Sequence, residues 1–335
     1  MDKSFTVAVV GATGLVGQTM LSILHERKFP IKRLVAVASK RSAGKRVQFG
    51  DGEVEVKAIA PQVFEGVDIA IFSAGGAVSR EWAPIAASKG AVVIDNSSAW
   101  RMDPEVPLCV AEVNIEAAKH HPKGIIANPN CSTMQMLVAL KPIHDVFGIE
   151  RIVVATYQAA SGAGVNAVQD LYKQTAAWSQ GKTPEPGSIG DILAGNLLMK
   201  WKYDLETGYH EEETKLVNET KKILGDQSIQ VSPTAVRVPV ETGHSEAVTL
   251  MTRSPTSAKE VRALLEAAPG VEVIDDIAKG LYPAPRDVAG KDPVLVGRIR
   301  DDIGNPGGVQ LWIVGDNIRK GAALNAVQIA EGLFL

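Results

Sequence analysis

The sequence predicts an α/β fold in two domains, and three observations carry that prediction. An apolar run, Phe5–Val10, leads through Gly11-Ala12-Thr13-Gly14-Leu15-Val16-Gly17 into Met20, Leu21, Ile23 and Leu24 at helical spacing. Short apolar runs recur at 34–38, 67–73, 91–94 and 124–127, as buried strands of a parallel sheet do. Beyond residue 130, a strand-like stretch at 149–158 is followed by two runs, 229–240 and 246–252, that look like antiparallel strands. The expected organisation is a dinucleotide-type parallel-sheet domain over 1–130, completed by a C-terminal helix at 316–335. An α+β domain with a mixed sheet is expected over 131–315.

Length and composition bound the rest. A chain of 335 residues is long enough for two cores. With 45% hydrophobic residues, 22% charged residues and a net charge of −3, it is neither a disordered chain nor a polybasic nucleic-acid binder. Two cysteines, Cys109 and Cys131, make no disulfide framework and fit a reducing compartment. No signal-peptide pattern and no membrane-spanning apolar run occur, so a cytoplasmic protein is expected. The histidines show no metal-ligand spacing, and no metal is expected.

In the first half, the turn after Phe5–Val10 has the spacing G-x-x-G-x-x-G. Strand, glycine-rich turn and helix is the context of a phosphate-binding loop, in which backbone N–H groups at a helix start face a pyrophosphate. Glycine-rich turns also serve tight packing, so the context carries the reading. The second strand ends in Ser39-Lys40-Arg41-Ser42, and no acid occurs from residue 29 to 50. An NAD site usually places a carboxylate there for the ribose 2′-OH; a basic, hydroxyl-bearing loop favours NADP. Ser79 is expected to cap a helix running to about Lys89. Asp95-Asn96-Ser97-Ser98-Ala99-Trp100-Arg101 follows a buried strand, at the sheet edge where such folds bind ligands. Arg101 there is equally compatible with a surface arginine. Cys109, in strand-like Pro107-Leu108-Cys109-Val110, is assigned to packing.

Asn128-Pro129-Asn130-Cys131-Ser132-Thr133-Met134-Gln135 is the stretch the chain is organised around. Met134, Leu137, Val138 and Leu140 recur at near-helical spacing, which puts Cys131 in a first helical turn. The N–H groups and dipole of a helix start favour a thiolate. A lone cysteine is more often a packing residue, and position alone leaves both roles open. Further on, Ala159-Ala160-Ser161-Gly162-Ala163-Gly164 is a turn built for close backbone contact. Glu212 and Lys215 are i,i+3 neighbours on a polar helix, as an exposed ion pair would be. Arg237 lies in a β-run and requires an anion if its face is buried. His244, beside Gly243 in a polar turn, is expected to be exposed and free to titrate.

Four motifs in this order resemble aspartate-β-semialdehyde dehydrogenases: Asn96-Ser97-Ser98-Ala99-Trp100-Arg101, the Cys131 stretch, Tyr157 to Gly164, and Arg237-Val238-Pro239-Val240-Glu241-Thr242-Gly243-His244-Ser245. The resemblance implies a Rossmann-like domain and a catalytic and dimerisation domain. It implies NADPH-dependent reduction of L-aspartyl-4-phosphate to L-aspartate 4-semialdehyde and phosphate through a cysteine thioester, by a homodimer. Residue by residue, it implies Cys131 as nucleophile, His244 as acid/base and Gln158 as a substrate-orienting group. It implies Arg237 for the substrate carboxylate and Glu212 for its amino group, with Arg101, Asn130 and Lys215 for phosphate. Gly11, Thr13, Gly14, Leu15, Val16, Ser39, Arg41, Ser42, Ser161, Gly162 and Asn317 would contact the cofactor. The chain departs from the family pattern at Ala235, usually cysteine, at Ala111, usually proline, and over residues 189–204.

Overall fold

A computed structural model describes residues 3–335, and the chain divides into two compact units, Met1–Asn130 with Ala322–Leu335, and Cys131–Gly321. The first unit holds seven strands: β1 (Phe5–Val10), β2 (Ile31–Ala38), β3 (Arg46–Phe49), β4 (Gly52–Ala58), β5 (Ile69–Phe72), β6 (Val92–Asp95) and β7 (Ile125–Ala127). Their order is β3-β4-β2-β1-β5-β6-β7, and every pair is parallel except the β3–β4 hairpin. Strand order reverses at β1, so the turns after β1 and β5 share the carboxyl-end crevice where such sheets take ligands. The apolar strands are buried because helices cover them. These are α1 (Leu15–Glu26), α2 (Gly76–Ser88), the single turn α3 (Ala111–Asn114) and the C-terminal helix α9 (Leu324–Phe334). Val7, Val9, Ile69 and Ile71 pack with Met20, Leu21 and Leu24 of α1 and with Val327, Ile329 and Ala330 of α9.

Several expectations are corrected here. Helix α2 begins at Gly76, so Ser79 lies inside it rather than capping it, and its hydroxyl accepts from Trp100 Nε1 at 3.0 Å. Residues 107–110 make one bridge, Leu108 to Ala127, instead of a strand. The C-terminal helix does not start at 316. Asp316 Oδ1 accepts from the backbone N–H of Ile318 and Arg319, a wide π-turn spans Arg319–Ala323, and regular helix begins only at Leu324.

The second unit is a mixed sheet of β8 (Ile149–Gln158), β9 (Gln230–Arg237), β10 (His244–Thr252), β11 (Val271–Val273), β12 (Val294–Asp301) and β13 (Val309–Gly315), in the order β11-β12-β13-β10-β8-β9. The runs containing β9 and β10 do not pair with each other as expected. β8 lies between them, parallel to β9 and antiparallel to β10. Helix α4 (Cys131–Phe147) covers one face, and its residues Ser132 to Leu140 are all buried. That burial explains the apolar spacing read after Cys131. The other helices are α5 (Val165–Ser179), α6 (Glu211–Leu224), α7 (Ala258–Glu266) and the short α8 (Pro285–Val288).

Candidate active site

In the second unit the chemistry gathers where α4 begins and where β8, β9 and β10 end or start. Cys131 is the first residue of α4 and is partly accessible. Gly321 lies against it: a Cβ there would sit 2.8 Å from the Cys131 Cβ. At the end of β8, Gln158 is buried and donates from Nε2 to the hydroxyl of Ser132 at 3.1 Å and that of Thr156 at 3.3 Å. The amide is thereby fixed beside the residue that follows the cysteine.

His244 starts β10 and has no exposed surface, which overturns the expectation of an exposed, freely titrating ring. The reason is topological. The polar turn before it is tied to distant parts of the unit, with the Ser161 N–H on the Glu241 carbonyl at 3.0 Å and the Gly243 N–H held by Asn317 Oδ1 at 2.9 Å. Burial, with the charge of Arg237 added, pushes the imidazole pKa well below its usual value, so the ring is neutral. The Ala159 N–H donates to Nδ1 at 3.0 Å. A neutral ring accepting at Nδ1 carries its hydrogen on Nε2. Nε2 is buried without a protein partner. It is an N–H donor awaiting an acceptor.

Arg237 ends β9, buried, with Nη1 donating to the Ala159 carbonyl at 2.7 Å. Its Cζ lies 5.2 Å from the ring centroid of Trp201. Burial lowers its pKa, opposed by the charges of Cys131 and Glu212. Gly162 leaves the space between these groups open: a Cβ there would come within 2.8 Å of Arg237 Nη1 and 3.2 Å of His244 Nε2. Glu212, buried, and Lys215, half-buried, form an ion pair on the first turn of α6. Ser161 and Asn317, both buried, bond to each other at 2.9 Å. Asn317 therefore braces the Ser161 turn and the Gly243 turn together.

In the first unit the phosphate-type turn follows β1. Gly11 has φ +90°, and a Cβ on it would run into the Ser73 carbonyl, so only glycine fits where the two crevice turns meet. No side chain caps α1 at Gly14, so backbone donors there remain for an anion. Thr13, Leu15 and Val16 are half-buried along this turn. At the end of β2, Lys40–Ser42 forms a single 3₁₀ turn with Ser39 and Arg41 exposed and Ser42 buried. These features fit a dinucleotide with a 2′-phosphate. Arg101 is buried, donating to the carbonyls of Asn128 at 3.0 Å and Asn96 at 2.9 Å. Asn130 is buried at the end of this unit. Asn96, Asn128 and Asn325 form a side-chain chain, with bonds of 2.5 Å at each step.

Three residues of the second unit escape sequence reasoning. Gln135, one turn after Cys131, donates to the His244 carbonyl at 3.1 Å and so ties α4 to β10. Glu246, two residues after His244 on the same face, is fully buried, and burial raises its carboxyl well above the usual range; Gln135 nearby offsets only part of this. Their spacing from Cys131 and His244 is the signal that marks them. Trp201 carries no local signal, because only the fold brings it to Arg237.

Comparison with known proteins identifies the family. Residues 6–121 match the semialdehyde dehydrogenase NAD binding domain, and residues 140–320 match the semialdehyde dehydrogenase dimerisation domain. The chain is 54% identical over 330 residues to aspartate-semialdehyde dehydrogenase of Aquifex aeolicus, covering 98% of this chain and 97% of that one. It is 49% identical to the Bacillus subtilis enzyme, covering 99% and 98%. Aspartate semialdehyde dehydrogenase II of Vibrio cholerae, in its complex with ASA, superposes with a TM-score of 0.96 at 50% identity, covering 99% of this chain and 98% of that one. The Candida albicans enzyme with NADP superposes at 0.74 with 26% identity, covering 99% and 98%. With two domain models and full-length relatives in agreement, the chain belongs to the aspartate-semialdehyde dehydrogenase family.

Proposed function

We propose that the protein reduces L-aspartyl-4-phosphate to L-aspartate 4-semialdehyde and phosphate with NADPH, through a thioester on Cys131. One observation carries the chemistry: Arg237 and the unpartnered Nε2 of His244 converge on the Gly162 gap, in the unit whose first residue is Cys131. Membership of the family carries the substrate class.

The steps follow from the residue types. The Cys131 sulfur attacks the acyl carbon, and the C–O bond to phosphate breaks, leaving a thioester and inorganic phosphate. NADPH, when bound, would supply the hydride that reduces the thioester carbonyl, leaving a tetrahedral oxyanion on Cys131. The C–S bond then breaks, releasing the aldehyde and restoring the Cys131 thiolate. At both tetrahedral stages charge builds on the former carbonyl oxygen, and His244 Nε2–H donates to it. A ring already neutral, with Nδ1 occupied by the Ala159 N–H, serves as a hydrogen-bond donor to that oxyanion, which re-forms the C=O as the leaving group departs, and not as a base toward the thiol. Gln158 orients the acyl group.

Arg237 takes the substrate carboxylate through a planar two-bond fork, and Glu212 takes the amino group. Arg101, Asn130 and Lys215 take phosphate. The Gly11, Thr13, Gly14, Leu15 and Val16 turn holds the cofactor diphosphate. Ser39, Arg41 and Ser42 hold the 2′-phosphate, and Ser161, Gly162 and Asn317 line the nicotinamide end.

The assembly is a cytoplasmic homodimer. The sheet face opposite α4 presents Val153, Ala155, Tyr157, Ala247 and Trp312, and Tyr157 and Trp312 lie 5.6 Å apart at their ring centroids. This apolar face suits a second copy. Among the described residues no helix is long and apolar enough to cross a membrane. The deciding assay is phosphate-dependent reduction of NADP by L-aspartate semialdehyde, run beside N-acetylglutamate semialdehyde. Turnover with the first and not the second is expected; the reverse outcome would refute the substrate assignment.

A further inference from the structure

Arg237 is held in the second unit by two contacts of different kinds. Its Nη1 donates to Ala159 O at 2.7 Å, which fixes rotation within the guanidinium plane. Its Cζ lies over the Trp201 ring, 5.2 Å from the centroid. Trp201 comes from the 189–204 segment that departs from the family pattern, and the fold anchors it on both sides. On one side Leu198 and Arg237 exchange backbone bonds of 2.8 and 3.0 Å, stitching the segment to the end of β9. On the other, the Trp201 ring stacks on His210 at 4.6 Å and 26°. His210 is buried, with Nε2 3.3 Å from Ala235 O and its backbone N–H donating to Glu213 Oε2 at 3.2 Å. Glu213 in turn accepts from the Ala235 N–H at 3.1 Å. Trp201 thus touches both His210 and Arg237, and β9 holds each of those two, through Ala235 and as its last residue.

We propose that Trp201 is a positioning residue that makes Arg237 selective for a planar carboxylate over a tetrahedral oxyanion. The inference rests on Arg237 holding the substrate carboxylate. In this proposal the indole under the cation screens one face of the guanidinium, and with Nη1 bonded to Ala159 O the edge left for a ligand is Nε and Nη2. A carboxylate meets that edge in plane with two parallel hydrogen bonds. A phosphate, whose third and fourth oxygens project out of the plane, meets the indole on one side. The selection matters because this reaction releases phosphate beside a carboxylate-bearing product, and phosphate in the arginine fork would exclude that product. The indole also stabilises the buried cation electrostatically, without supplying a competing anion.

The test compares Trp201→Leu, which keeps an apolar side chain but has no ring face, with Trp201→Phe, which keeps the face. Initial rates in the semialdehyde-oxidising direction are measured with semialdehyde and inorganic phosphate varied independently, and Arg237→Lys is run alongside. For Trp201→Leu, KM for semialdehyde should rise roughly tenfold. Phosphate should become a competitive inhibitor against semialdehyde, while the phosphate KM moves less than about twofold. Trp201→Phe should restore the semialdehyde KM to within about threefold and abolish the inhibition. A purely structural role for Trp201 would lower kcat without creating phosphate competition, and that outcome overturns the proposal. If Arg237→Lys raises the semialdehyde KM and Trp201→Leu does not, the proposal fails while the carboxylate assignment stands. If Arg237→Lys leaves that KM unchanged, the assignment itself fails.

Discussion

At the cofactor turns of the first unit the groups offered to a ligand are backbone N–H groups at the start of α1, with Arg41 exposed at the end of the next strand. In the second they are side chains taken out of water, with His244 wholly buried and Arg237 nearly so. The difference has consequences for both energetics and inheritance of function. A backbone cradle is built by glycine and a helix start, so its fit depends on the absence of side chains. A buried cluster depends on every member, because each charge or lone pair that loses its neighbour is left unsolvated. Substitution should therefore be costly among the buried side chains and graded at the cofactor turns of the first unit.

The steepest loss is expected at Cys131. Cys131→Ser replaces a thiol that ionises readily with an alcohol that does not, and turnover should fall by roughly 10³-fold or more with NADPH binding retained. Stoichiometric alkylation should label Cys131, which is partly accessible, and spare buried Cys109. Near-normal turnover in the serine protein would eliminate the thioester.

Gly162→Ala tests whether the cluster tolerates one methyl group. The new Cβ would sit 2.8 Å from Arg237 Nη1, so the guanidinium must move while the fold need not. A shift of this kind at a reacting site costs about 10²-fold in kcat/KM for semialdehyde. Melting temperature and NADPH affinity serve as controls, and a loss confined to NADPH affinity would mean Gly162 contacts only the cofactor. Arg101→Ala addresses the other anion: the phosphate KM should rise by roughly tenfold or more, with a smaller change in the semialdehyde KM. Equal changes in both would remove the division of labour between Arg101 and Arg237.

A milder effect is expected at the exposed cofactor loop of the first unit. Arg41→Ala removes one charge-assisted bond from an exposed loop, worth about 1.5–3 kcal/mol toward NADP and little toward NAD. The ratio of NADP to NAD affinity, measured by fluorescence titration, should fall accordingly. An unchanged ratio would show that Ser39 and Ser42 suffice.

The same contrast explains what could be read before folding. The first unit was legible because its signals are local: Gly11 to Gly17 encode the turn within seven residues, and the apolar runs encode the strands. The helix start at Cys131 is legible for the same reason, from the helical spacing after it. His244 was misjudged because polar neighbours in sequence describe the turn and not what lies above it; the Ala159 and Asn317 partners are 85 and 74 residues away from the atoms they hold. The pairing of the second sheet was missed because β8, which separates β9 from β10, precedes both in the chain. Nothing local marks Trp201, since its meaning lies in its contacts with His210 and Arg237.

The smallest effect on turnover, and the one that isolates burial from chemistry, is expected at Glu246. Both of its oxygens are buried without hydrogen-bond partners, and burial holds its carboxyl protonated well above the usual range. A raised pKa in the folded state means the folded protein binds more protons than the unfolded one between the two pKa values. Stability from that proton is present below the ordinary glutamate pKa of about 4.3 and declines as pH rises toward the folded value. His244 runs the other way: its lowered pKa costs stability as pH falls through about 6.5, where the unfolded ring takes up a proton that the buried ring refuses. Glu246→Gln keeps the shape of the neutral acid and removes its titration, while leaving His244 in place. The melting-temperature difference between Glu246→Gln and the parent should therefore be small at pH 4 and widen in favour of glutamine as pH rises through 6 and 8. A difference that stays constant across this range would mean that Glu246 ionises in place, held by a partner that compensates its charge.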